Sequence, residues 1–320
     1  MIKAGIIGGA GYTAGELLRI LINHPEVEVT FVHSESNAGN PLWKVHEGLY
    51  GDTDMLFSDS FDLNAIDVLF MCSAHGKSAG FWQENARPEN LKVVDLAQDF
   101  RDESEGFVYG LPEMQIAKIR GAKLVANPGC FATAIQLALL PLAAAGLLNS
   151  EINITAITGS TGAGVKPGAT THFSWRNNNL STYKVFEHQH LKEIRRDMGI
   201  LQPGFEADIN FVPMRGDFAR GIFVSATVDC ELEGEEALQL YRNYYEGAAF
   251  THVADFPIDL KQVVNTNKCL VNVEKHGKKL VISSVIDNLL KGASGQAVQN
   301  MNIIFGLPEN TGLKLKASAF

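Results

Sequence analysis

A cysteine follows Asn-Pro-Gly in the stretch VANPGCFATAIQLALL, residues 125–140, and an apolar run at helical spacing begins directly behind it. Pro128 and Gly129 punctuate the chain, and Phe131, Ile135, Leu139 and Leu140 recur as one face of a helix, so a helix starts within a residue or two of Cys130. There the orphan N–H groups and the positive dipole end of the helix favour thiolate over thiol, which makes Cys130 a candidate nucleophile. The plain alternative is a small buried hydrophobe, the usual fate of a cysteine outside a disulfide. A thiol nucleophile wants a base, and FEHQHLKEIRRDMG supplies His188, His190 and Glu193 about 60 residues on. His190 and Glu193 are three apart and would share a helix face, so that the carboxylate holds the imidazole in one tautomer. Solvated histidines on a surface helix are the bland reading of the same pattern. No third ligand of suitable type and spacing stands near His-x-His, and no metal is expected.

A second candidate site is a dinucleotide fingerprint, the alternative being a tight Gly-rich turn with no ligand. KAGIIGGAGYTAGELLRILINHPEVEVTFVHSES reads as strand, Gly-rich turn, helix, turn, strand, with Gly9-x-Gly11-x-x-Ala14 placed between the first strand and the helix. In that context glycines let a pyrophosphate approach backbone N–H groups at the helix N-terminus. The candidate cofactor contacts are Gly8, Gly9, Gly11, Tyr12 and Thr13 in the turn. At the end of the second strand Glu35 would suit the 2′-hydroxyl of NAD, whereas Ser34 and Ser36 could donate to a 2′-phosphate. Alternation along an extended segment puts Glu35 on the side opposite both serines, and on that geometry NADPH is the expected coenzyme. A second Gly-rich loop, GSTGAGVKPG from Gly159 to Gly168, could wrap substrate or cofactor, with Gly162 a further candidate contact. Arg101 lies just past a strand end in VVDLAQDFRDE and Arg220 lies in FARGIF; either could clamp a phosphate or carboxylate, or serve in an ordinary ion pair. Asn127, in the turn before Cys130, and His188 complete the candidate substrate contacts.

The elements that must hold these residues follow from periodicity. Ile2 to Ile7 and Val27 to Val32 are short apolar runs flanking a helix with Leu17, Leu18, Leu21 and Ile22 as its stripe and Pro25 as its stop. Further runs begin at Ile66, Leu91 and Ala122. Short apolar strands alternating with helices predict an α/β fold, a Rossmann-type doubly wound parallel sheet. EINITAITGSTGAG and FARGIFVSATVDCEL alternate with period two, LVNVEKHGKKLVISSVID reads as a hairpin turning at Gly277, and GEEALQLYRNYYEGA reads as an amphipathic helix. These predict a second, α+β domain with a mainly antiparallel sheet. The closing KGASGQAVQNMNIIFGLPE is helical in pattern and too short to stand alone. The expected division is a dinucleotide-binding domain of residues 1–129 and 286–320 and a catalytic domain of residues 130–285.

Composition limits the function. The chain has 320 residues, 46% of them hydrophobic and 20% charged, as in a globular enzyme. A net charge of −9 with no basic block argues against a nucleic-acid partner, though local arginines can still make an anion pocket. Cys72, Cys130, Cys230 and Cys269 are far apart, without zinc spacing, and suit free thiols in a reducing compartment. No apolar run of about 18 residues spans a bilayer and the N-terminal run is too Gly-rich for a signal peptide, so a cytoplasmic protein is expected.

These stretches together resemble the N-acetyl-gamma-glutamyl-phosphate reductases, the arginine-biosynthesis members of the aspartate-semialdehyde dehydrogenase superfamily. The resemblance runs nearly the full length, through GIIGGAGYTAGELLR, DLAQDFR, YGLPE, NPGCFATA, GSTGAG, YKVFEHQH, RGI and KGASGQAVQNMN. It implies reductive dephosphorylation of an acyl phosphate by NADPH, with Cys130 forming a thioester as phosphate leaves. In the implied chemistry His190 is the acid/base, Glu193 lies beside it, and an arginine matching Arg101 contacts phosphate. It also implies a homo-oligomer, a dimer or tetramer. The chain departs from the family's His-Arg-His at His188-Gln189-His190, places Glu35 where relatives often carry an arginine, and has Met214 in place of a histidine. These departures bear on acyl-group specificity and coenzyme choice. The rival readings are a sister reductase acting on N-succinyl-glutamyl, aminoadipyl or aspartyl phosphate, and a dinucleotide-binding protein without turnover.

Overall fold

The computed structural model describes residues 1–318. By internal contacts the described chain divides into two units, residues 1–128 with 293–314, and residues 129–292 with 315–318.

The first unit opens with β1 (Ile2–Ile7), α1 (Tyr12–Leu21) and β2 (Val27–His33). It continues through β3 (Val68–Met71), α2 (Ser78–Glu84), β4 (Lys92–Asp95), β5 (Val108–Tyr109), α3 (Pro112–Arg120) and β6 (Leu124–Ala126). The strands make one parallel sheet in the order β2-β1-β3-β4-β6-β5, the architecture that the apolar runs predict. All four residues of β3 are buried, as a strand covered on both faces requires. The stripe of α1 buries Ala14, Leu17, Leu18 and Leu21, and Pro25 follows shortly after the helix ends. Extended backbone stops at Ser34: Glu35–Asn37 is a turn of 3₁₀ helix. The alternation argument for the two serines therefore fails. Ser34 is buried while Glu35 and Ser36 are both exposed, because a 3₁₀ turn advances side chains by a third of a revolution and not by half.

The second unit begins with α4 (Cys130–Ala144), β7 (Ile152–Thr158), α5 (Phe173–Arg176), β8 (Ser181–Thr182) and α6 (Leu191–Leu201). β9 (Ile209–Arg215), β10 (Ile222–Asp229), α7 (Gly234–Tyr244), β11 (Thr251–Ala254), β12 (Cys269–His276) and β13 (Lys279–Ile286) complete it. Its sheet runs β11-β12-β13-β10-β7-β9-β8. The sheet is mixed: β7 pairs with β9 and β11 with β12 in parallel, and the other neighbours are antiparallel, including the β12–β13 hairpin about Gly277. Parallel pairing needs a crossover connection, and α6 supplies it between β7 and β9.

Helix α4 is the core of this unit. Apart from Thr133 and Gln136 it is apolar, and it is buried from Phe131 to Ala143, packed by α6, α7 and strands β10, β12 and β13. Pro141 lies inside it and cannot donate to the carbonyl of Leu137. Tyr245 repairs the gap, its hydroxyl donating to the Leu137 carbonyl at 2.5 Å, while Tyr241 donates to the next carbonyl, Ala138, at 2.5 Å.

The chain then passes through a π-helical turn, Leu290–Ser294, into α8 (Gly295–Ile304), which belongs to the first unit and packs on α1, α3 and β4. Asn300 donates to the carbonyl of Gly110 and to the Asn127 side chain, and Lys92 donates to the carbonyl of Ile304.

Candidate active site

Cys130 is the first residue of α4, with Gly129 as its N-cap in extended backbone and no side chain capping the helix. The N–H groups of that first turn have no acceptor within the helix, so they face the thiol's surroundings as donors. Cys130 is half-buried, whereas Cys230 and Cys269 are buried, and desolvation pushes the Cys72 thiol up to about 12. Two glycines crowd the cysteine. A Cβ on Gly129 would overlap His190 at Nε2, and one on Gly292 would stand 2.9 Å from Cys130 Cβ. Close backbone approach is thus what keeps the imidazole, the cysteine and the segment of Gly292 together.

His190 is not on the surface of a helix. It is the N-cap of α6 and is buried, as are His188 and Glu193. Its Nε2 lies 3.9 Å from Glu193 Oε1, too long for a hydrogen bond, while Glu193 Oε2 accepts the Gly129 N–H at 3.1 Å. Glu193 therefore ties the turn before Cys130 to the start of α6. One turn deeper Gln136 of α4 donates to Asp197 of α6 at 2.7 Å, and Asp197 is fully buried. The two helices that carry Cys130 and His190 are braced side by side from the same end.

His188 sits in an aromatic cage, edge-on to Phe131, Phe211 and Tyr183, and 4.5 Å between ring centroids from His190. Its Nδ1 accepts the backbone N–H of His190 at 3.2 Å. Burial, then the charges of Lys184 and Arg215, lower its pKa to about 4, so it is a neutral imidazole with its other nitrogen as donor. Tyr183 is also desolvated, and burial followed by the charge of Cys130 raises its pKa to about 12.

The two arginines expected to clamp an anion have partners of their own. Arg220 grips Asp287 with Nε at 3.1 Å and a terminal nitrogen at 3.2 Å. Asp287 is fully buried and also accepts the N–H groups of Asn265, Leu289 and Leu290. Arg101 is buried and donates to the carbonyls of Asn127 at 2.9 Å and Leu96 at 3.0 Å. Asn127 is itself held at both ends of its amide, donating to Ala293 and accepting from Asn300. Arg101 and Asn127 thus brace segments of the first unit, and Arg220 braces the second. The guanidinium that sequence reasoning missed is Arg215, at the end of β9, whose Cζ stands 4.6 Å from the centre of the Tyr183 ring. No spacing rule points to it, because β9 and residue 183 meet only through the fold.

In the first unit the fingerprint has the geometry a dinucleotide needs. Gly8 has φ +81° and a Cβ there would stand 2.7 Å from the Cys72 carbonyl, so the turn can only be glycine. Gly11 differs: a Cβ there would meet nothing of the protein nearer than 3.8 Å, so packing does not explain the missing side chain, whereas close approach of a ligand does. Gly11 caps α1 without a side-chain hydrogen bond, leaving the N–H groups of Tyr12, Thr13 and Ala14 without helical acceptors. Thr13 is held by Ser294, whose hydroxyl donates to its carbonyl at 2.7 Å. His46, not foreseen from sequence, shares a hydrogen bond with the Gly9 carbonyl at 2.7 Å. Ser34 and Ser36 both accept from Asn37. In the second unit Gly162 is an exposed residue of the 3₁₀ turn Ser160–Ala163, whose Thr161 hydroxyl is pinned to the Ala219 carbonyl at 2.6 Å. Among the described residues no cluster of three His, Cys, Asp or Glu could hold a metal, and no helix is long and apolar enough to cross a membrane.

Two families match the chain. Residues 3–122 match the semialdehyde dehydrogenase NAD binding domain, and residues 130–288 the semialdehyde dehydrogenase dimerisation domain. N-acetyl-gamma-glutamyl-phosphate reductases of Phocaeicola vulgatus and Bacteroides thetaiotaomicron are 61% and 59% identical to it, over 100% of each chain. That of Flavobacterium johnsoniae is 52% identical over the same full coverage. Among solved structures, aspartate semialdehyde dehydrogenase II from Vibrio cholerae superposes with a TM-score of 0.76 at 19% identity, covering 96% of this chain and 99% of that one. Aspartate semialdehyde dehydrogenase with NADP from Candida albicans gives 0.71 at 15%, over 97% and 99%. Full-length identity at this level, on a fold shared with the semialdehyde dehydrogenases, means that the chain belongs to the N-acetyl-gamma-glutamyl-phosphate reductase family.

Proposed function

We propose that the protein converts N-acetyl-gamma-glutamyl phosphate to N-acetylglutamate 5-semialdehyde, with NADPH as reductant, as a step of arginine biosynthesis. The observation that carries the mechanism is the packing of His190 Nε2 against Gly129, next to Cys130 at the open N-terminus of α4. The Cys130 thiolate attacks the acyl carbon, the C–O bond to phosphate breaks, and a thioester and inorganic phosphate result. N–H groups of the first turn of α4 face the carbonyl oxygen and stabilise its negative charge. The bound dinucleotide supplies the hydride that reduces the thioester. His190 passes the proton on Nε2 to the oxygen of the tetrahedral adduct and takes it back as the C=O bond re-forms and the thiolate leaves. Glu193 acts as a positioning residue through the Gly129 N–H. Gly8, Gly9, Gly11, Tyr12 and Thr13 would hold the pyrophosphate, and Ser34 lies at the strand end where the ribose binds in such folds. The match to a dimerisation domain supports a homo-oligomer. Four cysteines without a disulfide among the described residues suit a cytoplasmic enzyme.

The test is phosphate-dependent oxidation of N-acetylglutamate 5-semialdehyde, read beside N-succinylglutamate, aminoadipate and aspartate semialdehydes. Turnover of the first with NADP, abolished in Cys130→Ser, is the expected result, and iodoacetamide should modify Cys130 ahead of the other three cysteines. A Cys130→Ser enzyme retaining most of its activity overturns the thioester route.

A further inference from the structure

Arg215 is anomalous among the arginines around the site. Arg220 is spent on Asp287, and Arg101 on carbonyls of its own unit. Arg176 is buried and donates to the carbonyls of Thr170, Asn179 and Arg215 and to the Ser181 hydroxyl. One of these bonds holds the carbonyl of Arg215. Its side chain is tied less: it hydrogen-bonds Tyr183, but Nε is buried and has no hydrogen-bond partner, and among the described residues no carboxylate forms an ion pair with it. Tyr183 supports the guanidinium from one side, with its ring centre 4.6 Å from Cζ. A buried guanidinium nitrogen without an acceptor is costly unless an anion arrives to take it. The Tyr183 ring lies 5.8 Å from that of His188, His188 lies 4.5 Å from His190, and His190 packs against Gly129, so a short run of rings joins the guanidinium to the turn of Cys130.

The proposed substrate carries its acyl phosphate at one end and a carboxylate at the other. We propose that Arg215, stacked on Tyr183, binds a carboxylate of the N-acylglutamyl substrate and thereby sets which acylated amino acid the site accepts. This rests on the reductase reading of the site. Two carboxylates share the chemistry: the α-carboxylate, present in every N-acylglutamyl compound, and the terminal carboxylate of an N-succinyl group.

The test separates these sources and does not depend on turnover. Iodoacetamide modification of Cys130 is followed in the unaltered enzyme, Arg215→Gln and Arg215→Lys, with N-acetylglutamate, N-succinylglutamate or 4-acetamidobutanoate as protecting ligand. The last lacks the α-carboxylate. If Arg215 binds the α-carboxylate, the half-protecting concentration of both N-acylglutamates rises roughly 10–100-fold in Arg215→Gln, the scale of a charge-assisted hydrogen bond, and that of 4-acetamidobutanoate does not follow. If it binds the acyl carboxylate, the loss is confined to N-succinylglutamate. Arg215→Lys keeps the charge without the fork and should restore part of the lost protection. Equal loss for all three ligands, or none for any, overturns the proposal. Matching thermal unfolding of the three proteins shows that the fold is retained. Should the enzyme turn over none of the four semialdehydes, the reductase reading falls, while the protection pattern still decides the role of Arg215.

Discussion

At the scale of single residues, the two histidines differ by environment more than by position. His188 has its Nδ1 taken by the His190 N–H and its pKa lowered to about 4 by burial and two nearby cations, so it stays a neutral imidazole through the neutral range. His190 faces Gly129 and the carboxylate of Glu193. His190→Asn should therefore lower kcat by roughly 10²–10⁴, the usual share of general acid–base catalysis, and His188→Asn by less. Proton NMR should find no titration of His188 above pH 5, and the reverse order of the two kinetic effects would move the base to His188. The spacing of Cys130, His190 and Glu193 was readable because His190 and Glu193 are neighbours along one helical turn and the cysteine is marked by Pro-Gly. Arg215 and Tyr183 were not readable, since strand register and a loop path bring them together. Arg101, Asn127 and Arg220 stood out by type, whereas the hydrogen bonds that hold each of them within its own unit come only from the fold.

Among the elements, α4 carries the clearest energetic consequence. Pro141 leaves the Leu137 carbonyl without its helical donor, and the Tyr245 hydroxyl replaces that donor. Tyr245→Phe should destabilise the second unit by about 1–3 kcal/mol, the cost of a buried acceptor left unsatisfied, as measured by denaturant unfolding. A loss below a few tenths would mean that solvent replaces the hydroxyl. Helix α4 was legible from its apolar period, as was the β12–β13 hairpin from Gly277. The 3₁₀ turn at Glu35–Asn37 was not, because Ser, Glu, Ser and Asn in a row suit a strand end and a turn equally. That turn exposes Glu35, so Glu35→Arg would offer a guanidinium to a 2′-phosphate without repacking anything. The expected result is a rise of about tenfold in the ratio of kcat/KM for NADPH over NADH.

Over the whole molecule, His188 and Asp95, one in each unit, should answer acid in opposite ways. His188 in the second unit is neutral when folded down to about pH 4, whereas unfolded it protonates near 6.5. Its contribution is complete above pH 6.5 and is lost as pH falls towards 4, by up to about 3 kcal/mol. Asp95 in the first unit is buried, and desolvation raises its pKa to about 6, so the folded unit holds that proton more tightly than the unfolded chain does. Its contribution is complete below the usual carboxylate pKa and is lost as pH rises to about 6, by a similar amount. Hydrogen exchange at pH 4.5 and 6.5, read by segment, should show acid weakening the second unit relative to the first, and Asp95→Asn should remove the first unit's share of the difference.

The division of the chain also has a consequence on the ribosome. The parallel sheet of the first unit is complete by Ala126, yet α8, which covers part of it through α3 and β4, is not made until residues 129–292 have been synthesised. At ordinary elongation rates that interval is roughly ten to thirty seconds. For that time the nascent sheet has no partner for the carbonyl of Gly110 or the side chain of Lys92, both of which α8 later engages. The second unit has every one of its sheet strands in hand by Ile286 and is free to fold first, so the order of completion during translation runs opposite to the order in which the two units begin.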